Sequence, residues 1–399
     1  MPRDGPKSGR PELPASRAPG ALLSMPSVCF VGLENLPVLA PEYGDHGAGG
    51  AQVQQVLLAS ALVRRGYRVS MVVADYGQPD RAQWHGITTY RAFRHSAGLP
   101  VVRFISPRWT ATWSAMRRAD ADLYYVSCAG MLIAEVSLFA RRHGRKAVFR
   151  VASDSDCDPR AVLIRHWRDR MLYGHGLRHA DLVLAQTQKQ QQLLQTHYGR
   201  SSLLAKSLAD LQGSDLDFPA RDVDVLWVSN IQPLKRPDRL LTLARALPHR
   251  RFHLIGGPMG AHGPLFEQLR RECETIANLT FHGKVSYHEV HSWFRRARVL
   301  VNTSDIEGFP NTYQQAWAHG APVVAFHDPN GLIASRRLGH AALDDADLAR
   351  GVESLLADPA RWQEASDRCV AFMQERFADG SALAEYESAF RTIGLAPPP

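Results

Sequence analysis

Short apolar segments alternate with helical patterns twice along this chain, once before residue 210 and again from residue 223. In the first series, "VCFVGL" predicts a buried strand, and the run after "GAGGAQ" carries apolar residues at helical spacing before the strand "YRVSMVVAD". In the second, the strands "VDVLWVS", "RFHLIGG", "LTFHG" and "VLVNTS" are separated by helical segments. Such alternation is typical of parallel sheets covered by helices. It predicts an α/β protein with two doubly wound, Rossmann-like domains facing a cleft, where ligands bind at the carboxyl ends of strands.

The two series meet at "LQGSDLDFPARD" (Leu211–Asp222), which contains glycine and proline and has no periodicity. This composition indicates a linker, so we predict an N-terminal domain over residues 25–218 and a C-terminal domain over 222–375. We expect a helix within 376–399 to pack back on the N-terminal domain before a terminal tail. Residues 1–24 are rich in Pro, Gly, Ser and Arg and lack the apolar core of a secretory signal, which predicts a disordered tail.

The composition indicates a soluble globular protein, since 45% of the 399 residues are hydrophobic and 22% are charged. The apolar run "MLIAEVSLFA" is too short to span a bilayer and contains Glu135, so we interpret it as a core segment. The five cysteines have no paired spacing, which argues against a disulfide framework or a zinc ribbon. Together these features predict a cytoplasmic protein.

Positive charge is concentrated in the N-terminal half. Residues 1–218 hold 27 Lys and Arg against 18 Asp and Glu, a balance of +9, whereas the remainder holds 20 against 21, a balance of −1. The segment Arg160–His179 mixes arginines with Trp167, Leu172 and Tyr173. It has two interpretations: a peripheral contact with an anionic membrane surface, or a surface helix whose apolar face lies in the core. We expect no nucleic-acid partner.

An acidic residue follows the strand "ARVLVNTS" directly, in the loop "EGFPN". The next helix is predicted to begin near Asn311 or Thr312, so the loop would present free N–H groups at a positive helix terminus, where a diphosphate is favoured. Gly308 would permit close approach of the backbone. The loop therefore predicts an anion site beside Glu307.

Two further segments have the composition of anion sites. In "NIQPLKRPDRLL", Lys235 and Arg236 stand immediately before Pro237, which suits a first helical turn, although a solvated surface pair is the alternative. In "GAGGAQ", the glycines Gly49 and Gly50 precede a helix. This second segment departs from the dinucleotide fingerprint, because Gln52 stands where glycine is required and about a dozen residues separate it from the preceding strand.

Taken together, these motifs resemble the retaining glycosyltransferases of family 4, which have the GT-B fold. The resemblance covers about residues 27–392 and is strongest in "EGFPNTYQQAWAHGAPVV". The segment "LWVSNIQPLKRPD" resembles the family's strand–loop–Lys motif, and "LTFHGKVSYHEV" resembles its donor-base segment. The resemblance implies transfer of a hexose-type sugar, with retention, from a nucleotide-sugar to a polysaccharide or lipid-linked glycan. The nucleotide-sugar is then a substrate bound by the C-terminal domain, the N-terminal domain faces the acceptor, and no cofactor is implied.

The resemblance also implies roles for particular residues. Glu307 would bond the sugar hydroxyls and Lys235 would neutralise the diphosphate leaving group, so no metal is required. The implied donor-binding residues are Gly49, Gly50, Asn230, Arg236, Gly283, Lys284, Val285, Gly308, Phe309, Pro310, Asn311, Thr312 and Gln315. The sequence departs from the family pattern at three positions: Asn230 replaces an arginine, Cys128 stands near the place of a histidine, and Gln315 replaces a second acid.

Gln315 has two interpretations. As a replacement for the acid, it would bond the ribose of the donor. Alternatively, Thr312 and Gln315 form a capping box, which needs no ligand.

The acids of "RVASDSDCDPR" also have more than one interpretation. Asp154 and Asp156 could contact the acceptor across the cleft, bind a divalent metal, or serve ordinary turn chemistry. We predict no metal, since an Asp-x-Asp metal site belongs to the other main glycosyltransferase fold. Two alternatives to a transferase stay open: a non-catalytic nucleotide-sugar-binding or assembly protein of the same fold, and a nucleotide-sugar epimerase.

Overall fold

The computed structural model describes residues 25–44, 49–99, 102–209, 213, 216–260, 262–377 and 380–399, apart from the side chain of His288. The tail predicted over residues 1–24 lies outside the described residues.

The N-terminal domain is built on an eight-stranded sheet within the described residues. Its strands are β1 (Ser27–Val31), β2 (Arg68–Val73), β3 (Gln83–Trp84), β4 (Ile87–Arg91), β5 (Leu123–Ser127), β6 (Lys146–Arg150), β7 (Leu182–Ala185) and β8 (Leu203–Leu204). They are hydrogen-bonded in the order β3-β4-β2-β1-β5-β6-β7-β8. Every neighbouring pair is parallel except β3–β4.

Helices cover both faces of this sheet, so its central strands are buried on both sides. The helices are α1 (Leu36–Leu39), α2 (Gly50–Arg65), α3 (Thr110–Ala119), α4 (Leu132–Arg142), α5 (Trp167–His179) and α6 (Gln188–Tyr198). Cys29 and Phe149 belong to the core on one face, and Phe30 and Tyr125 to the core on the other. Helix α4 contains the run predicted as a core segment, and its Glu135 is buried.

The C-terminal domain has a six-stranded, all-parallel sheet within the described residues. Its strands are β9 (Val223–Val228), β10 (Phe252–Ile255), β11 (Leu279–Phe281), β12 (Ala297–Asn302), β13 (Val323–Ala325) and β14 (Gly339–Ala341), in the order β11-β10-β9-β12-β13-β14. The following helices are α7 (Pro237–Ala246), α8 (Gly263–Cys273), α9 (Tyr287–Arg296), α10 (Asn311–Ala318), α11 (Leu332–Arg336), α12 (Asp345–Leu356), α13 (Pro359–Phe377) and α14 (Ser381–Arg391).

Both sheets reverse their winding direction once, which is the property of a doubly wound fold. The reversal lies between β1 and β5 in the first sheet and between β9 and β12 in the second. Loops at the carboxyl ends of these strands diverge and leave a crevice, which is where ligands bind in open α/β sheets. The predicted fold class is confirmed, and it positions a ligand crevice in each domain.

The last helix, α14, lies on the N-terminal domain. Tyr386 and Phe390 are buried in the same core as Phe30 of β1. The hydroxyl of Tyr67 also donates a hydrogen bond to Glu387 over 3.2 Å. The chain therefore returns to its first domain after it completes the second.

Within the part of the chain that the structure describes, none of the helices is both long enough and apolar enough to cross a bilayer.

Candidate active site

A cleft of about 910 Å³ lies between the two domains, at the crevices of both sheets. Cys128 and Ala129, which follow β5, line it from the N-terminal domain, and the loops that follow β9 and β12 line it from the C-terminal domain. Thirteen of the predicted catalytic and donor-binding residues line this cleft: Gly49, Gly50, Asn230, Lys235, Lys284, Val285, Glu307, Gly308, Phe309, Pro310, Asn311, Thr312 and Gln315. The structure thus brings together segments that lie far apart in the sequence.

The central feature of the cleft is an ion pair between Lys235 and Glu307. The ammonium Nζ lies 2.6 Å from Oε1 of the carboxylate, and the two side chains are only 15% and 13% exposed. The same oxygen accepts a hydrogen bond from Nδ2 of Asn302 over 3.3 Å. Burial raises the pKa of Glu307, but the charge of Lys235 and the hydrogen bonds from Lys235, Ser304 and Asn302 outweigh it, so the pKa lies below its ordinary value. Glu307 is therefore a carboxylate at neutral pH.

Hydrogen bonds between the loops after β9 and β12 hold this pair in place. Lys235 ends a short 3₁₀ helix after β9 (Pro233–Lys235), and its carbonyl accepts a hydrogen bond from the Thr303 hydroxyl over 2.8 Å. Two residues further on, the amide of Asp305 donates to the carbonyl of Leu234 over 2.9 Å. The loops after β9 and β12 are thus joined on both sides of the ion pair.

Helix α10 begins as the sequence predicts, but its N-terminus is not capped by a side chain. Pro310 is the N-cap residue, and no side chain hydrogen-bonds to the first amides of the helix. The capping box proposed for Thr312 and Gln315 is therefore wrong: the helix starts at Asn311, one residue before Thr312, so Thr312 lies inside it. Gln315 lines the cleft, 9% exposed, and its side chain forms no hydrogen bond within the described residues.

Gly308 is placed against the opposite domain. A Cβ atom built on it would lie 2.7 Å from the carbonyl oxygen of Ala152, closer than real Cβ contacts. Next to it, the amide of Asp154 donates to the carbonyl of Glu307 over 3.2 Å. The sequence assigns Gly308 to the anion site; in the structure, the backbone that follows β6 lies directly against it.

A second contact between the domains involves the next residue of the same loop. The amide of Phe309 donates to Oε1 of Gln186 over 3.3 Å. That oxygen also accepts a bond from the hydroxyl of Ser207, which in turn accepts one from Nη2 of Arg150 over 2.7 Å. A chain of hydrogen bonds therefore runs from the buried Arg150 to the loop that carries Glu307.

The glycine segment before α2 contacts the start of α10. Nδ2 of Asn311 donates to the carbonyl of Gly50 over 2.8 Å, and its Oδ1 accepts from Nε2 of Gln54 over 3.0 Å. Gly49 is the N-cap of α2, so this helix also points its N-terminus at the cleft. Residues 47 and 48 of the predicted motif lie outside the described residues.

Three of the predicted site residues do not line the cleft. Arg236 forms ion pairs with Asp238 over 2.7 Å and with Asp305 over 3.4 Å. These two carboxylates hold its guanidinium outside the cleft. The carbonyl of Gly283 accepts a hydrogen bond over 2.8 Å from the amide of Gly256, which lines the cleft in its place. Asp154 pairs with Lys189 over 2.8 Å, so its carboxylate is already satisfied by its own domain.

Asp156 lines the cleft but is also used by its own turn. Its carboxylate accepts bonds from the amides of Ala152 and Ser153 over 2.9 and 3.1 Å, and it completes a capping box with Ser153. Burial raises its pKa to about 6 in spite of these bonds. In the described part of the chain, no group of three or more His, Cys, Asp or Glu side chains is arranged to hold a metal ion.

Sequence reasoning missed several buried polar residues that the N-terminal domain contributes to the cleft. Arg150, Gln186 and Gln54 all line it, and all three are buried. Their positions at strand ends were the signal that could have found them. Arg150 ends the buried strand β6, where an unpaired cation is costly, and Gln186 directly follows β7. Cys128 also lies in the cleft, with a left-handed backbone (φ 74°) and a thiol whose pKa is raised to about 12 by burial.

This arrangement can bind an anionic ligand. A cation at Lys235, a helix N-terminus at α10 and the glycine-bounded N-terminus of α2 all face one cleft. Glu307 is an acceptor for hydroxyl groups at the same place. A ligand with both a phosphate and several hydroxyls matches this chemistry.

Two family models match the chain, one on each domain. The model described as "Glycosyltransferase Family 4" matches residues 48–203, and the model described as "Glycosyl transferases group 1" matches residues 222–358. Together they cover most of both domains and both halves of the cleft.

Known relatives match parts of the chain. A D-inositol 3-phosphate glycosyltransferase from Streptomyces bingchenggensis is 30% identical over 210 residues, which is 45% of this chain and 46% of that protein. One from Mycobacterium tuberculosis is 35% identical over 113 residues, 28% of this chain and 24% of that protein. The matched segments span less than half the length of these relatives.

Solved structures share the fold over nearly the whole chain. Sucrose-phosphate synthase from Thermosynechococcus elongatus superposes with a TM-score of 0.75 at 19% identity, over 92% of this chain and 99% of that one. The Anabaena protein HepE, in complex with UDP and glucose, superposes with a TM-score of 0.67 at 15% identity, over 92% and 98%. With a family model on each domain, two doubly wound sheets and a shared architecture, this chain belongs to the family 4 glycosyltransferases, with the GT-B fold.

Proposed function

We propose that the protein is a retaining glycosyltransferase that moves a sugar from a nucleotide-sugar to a glycan or lipid-linked acceptor without a metal ion. The observation that carries this proposal is the buried Lys235–Glu307 pair at the N-terminus of α10. It supplies a cation for a diphosphate and a carboxylate for sugar hydroxyls within a few ångströms of each other.

Catalysis would be electrostatic. As the bond between the sugar and the diphosphate breaks, negative charge grows on the departing phosphate oxygens. Lys235 and the free amides of α10 stabilise that charge, since they are held in position before the reaction begins. Because these groups supply the positive charge, no metal is needed. Glu307 holds the sugar and fixes its orientation.

The remaining assignments divide the cleft between the two substrates. Val285, Lys284 and Asn230 would hold the nucleotide, and Gln315 would bond its ribose. On the other wall, Asp156 and its turn face the acceptor. We further propose a cytoplasmic enzyme in peripheral contact with an anionic membrane through Arg160–His179, which the basic surplus of the N-terminal half supports.

The first test is a thermal-shift screen of the purified protein against UDP-, GDP- and ADP-sugars. A donor present at 100 times its dissociation constant should add roughly 2.7 kcal/mol to the free energy of unfolding. With that donor, the anomeric configuration of the product, read by NMR, tests retention, and EDTA tests metal independence. The absence of any shift with all three sugar classes would contradict the proposal.

A further inference from the structure

Four large apolar side chains lie exposed in two neighbouring segments of the N-terminal domain. Ile105, Leu163, Trp167 and Met171 are 56%, 67%, 73% and 64% exposed, and we call them the apolar patch. Trp167 and Met171 are four residues apart on α5, so they share one face of the helix. Exposed apolar side chains that cluster in this way mark sites of interaction.

The two segments are held together by a cation–π contact. The guanidinium of Arg168 lies 3.8 Å from the ring centroid of Phe104. Arg168 adjoins Trp167, and Phe104 adjoins Ile105, so the contact brings the two parts of the apolar patch next to each other.

The charge around the patch is positive. Arg160, Arg165 and Arg170 are exposed beside it. From residue 160 to 179 the sequence contains one acid, Asp169, and that carboxylate pairs with Arg168 over 2.8 Å. Over residues 158–179 five arginines stand against two acids, Asp158 and Asp169, and Asp158 already accepts a hydrogen bond from the amide of Arg160 over 2.8 Å.

The apolar patch also reaches the mouth of the cleft. Leu163 belongs to the patch and lines the cleft as well, on the same wall as Ser155 and Asp156. A ligand with one end on the patch could therefore place its other end inside the cleft.

We infer that the apolar patch and its arginines rest on an anionic lipid surface, from which the cleft takes an acceptor whose reacting hydroxyl lies in the headgroup layer. This inference rests on the proposed function. A tryptophan and aliphatic side chains enter the boundary between headgroups and acyl chains, while arginines bind the lipid phosphates. A lipid-anchored acceptor would then meet the donor without leaving the membrane.

The charge distinguishes a lipid surface from a second copy of the chain. Two copies related by a two-fold axis would bring the same patch, and therefore the same arginines, face to face. Like charges at such an interface repel each other, whereas an anionic bilayer attracts them. The apolar side chains in turn favour a lipid over a purely polar polyanion.

The test uses the full chain and vesicles of phosphatidylcholine, with or without 30% phosphatidylglycerol, in a flotation assay. The protein should bind the anionic vesicles and lose binding at high salt, because such attraction is screened over about 8 Å at physiological ionic strength. Each arginine near an anionic surface contributes roughly fivefold to binding, so Arg160→Gln/Arg165→Gln/Arg170→Gln should weaken it roughly a hundredfold. Leu163→Ser/Trp167→Ser/Met171→Ser should also lose binding.

A matched control replaces three exposed arginines of the C-terminal domain, Arg245, Arg271 and Arg361, and should bind vesicles like the parent protein. Brominated acyl chains report insertion directly: they should quench tryptophan emission in the parent protein but not in Trp167→Phe. Equal binding to neutral and anionic vesicles, or a protein that dimerises through the patch instead, would overturn the inference.

Donor binding separates this inference from the proposed function. A protein that binds a nucleotide-sugar but no vesicles refutes the lipid surface and leaves the transferase standing. A protein that binds vesicles but no nucleotide-sugar refutes the transferase. If both bind, the triple arginine variant should retain donor affinity and lose transfer to alkyl glycosides in anionic vesicles.

Discussion

Lys235 and Glu307 form an ion pair between the loops that follow β9 and β12, with Nζ 2.6 Å from Oε1. The two residues are 72 positions apart in the sequence. A donor diphosphate that enters the cleft would share Lys235 with this carboxylate. The ion pair therefore keeps both charged groups in the buried site before a ligand binds. Each group is already in the position where the ligand would contact it. Removing either partner tests binding, turnover and stability at once.

We expect Glu307→Gln to lower turnover by about 10²–10³-fold, the scale observed when one preorganised stabilising group is removed. The substitution keeps the size of the side chain and leaves Lys235 charged, so donor affinity should change little. Initial rates and calorimetric donor binding measure the two quantities. Undiminished turnover would show that Glu307 does not contribute to the reaction.

We expect Lys235→Ala to weaken donor binding and to lower the free energy of unfolding by about 3–5 kcal/mol, because it leaves a buried carboxylate without its partner. The double variant Lys235→Ala/Glu307→Gln should recover much of that stability and none of the turnover. As a control, Lys206→Ala breaks the more exposed Lys206–Glu385 pair (2.8 Å) and should cost at most about 1 kcal/mol. Donor affinity within twofold of the parent in Lys235→Ala would show that Lys235 does not bind the diphosphate.

We expect Gln315→Ala to weaken donor binding by about 1–2 kcal/mol with little change in melting temperature. The reason is that its side chain faces the cleft and caps no helix, so a lost hydrogen bond to the ribose is the main effect. The neighbouring Gln314 is buried and does not line the cleft, so Gln314→Ala should alter stability but not donor affinity. The reverse pattern would assign Gln315 a structural role.

We expect Gly308→Ala to force the domains apart locally, since the new Cβ would lie 2.7 Å from the carbonyl oxygen of Ala152. Both turnover and donor affinity should fall, and small-angle scattering should detect a larger radius of gyration. Gly263→Ala is the control, because a Cβ at that position meets open space. An unchanged radius together with full activity would mean that this contact is not needed for closure.

We expect the stability of the protein to fall between pH 6.5 and 9, and Glu135→Gln to flatten that slope. Burial raises the pKa of Glu135 from 4.5 to about 9, although a backbone hydrogen bond from Trp113 opposes it. In this range the folded state keeps a proton that the unfolded state has released, so rising pH favours unfolding by about 1.4 kcal/mol per unit. Urea unfolding of both proteins across this range measures the difference, and identical slopes would contradict the prediction.

The sequence was most informative where function depends on short segments. The strand before Glu307, the start of α10 and the position of Lys235 before α7 follow from apolar runs, glycine and proline. It was least informative where distant segments meet. The bond between Phe309 and Gln186 joins residues 123 positions apart, and nothing local to either residue indicates it.

The errors have the same origin. Arg236 was assigned to the donor because it adjoins Lys235, but its left-handed backbone (φ 49°) and its two carboxylate partners direct it elsewhere. The capping box at Thr312 was placed two residues too late, because the N-cap residue of α10 is Pro310.

The return of α14 to the N-terminal domain determines how this protein can be recombined with its relatives. The donor-side half is an insertion between β8 and α14, rather than everything after the linker. A chimera that exchanges residues 222–399 as one block would pair Phe30 and Tyr125 with a foreign Tyr386 and Phe390, and would disrupt the acceptor-side core. An exchange limited to residues 222–377 keeps that core intact and moves donor recognition alone.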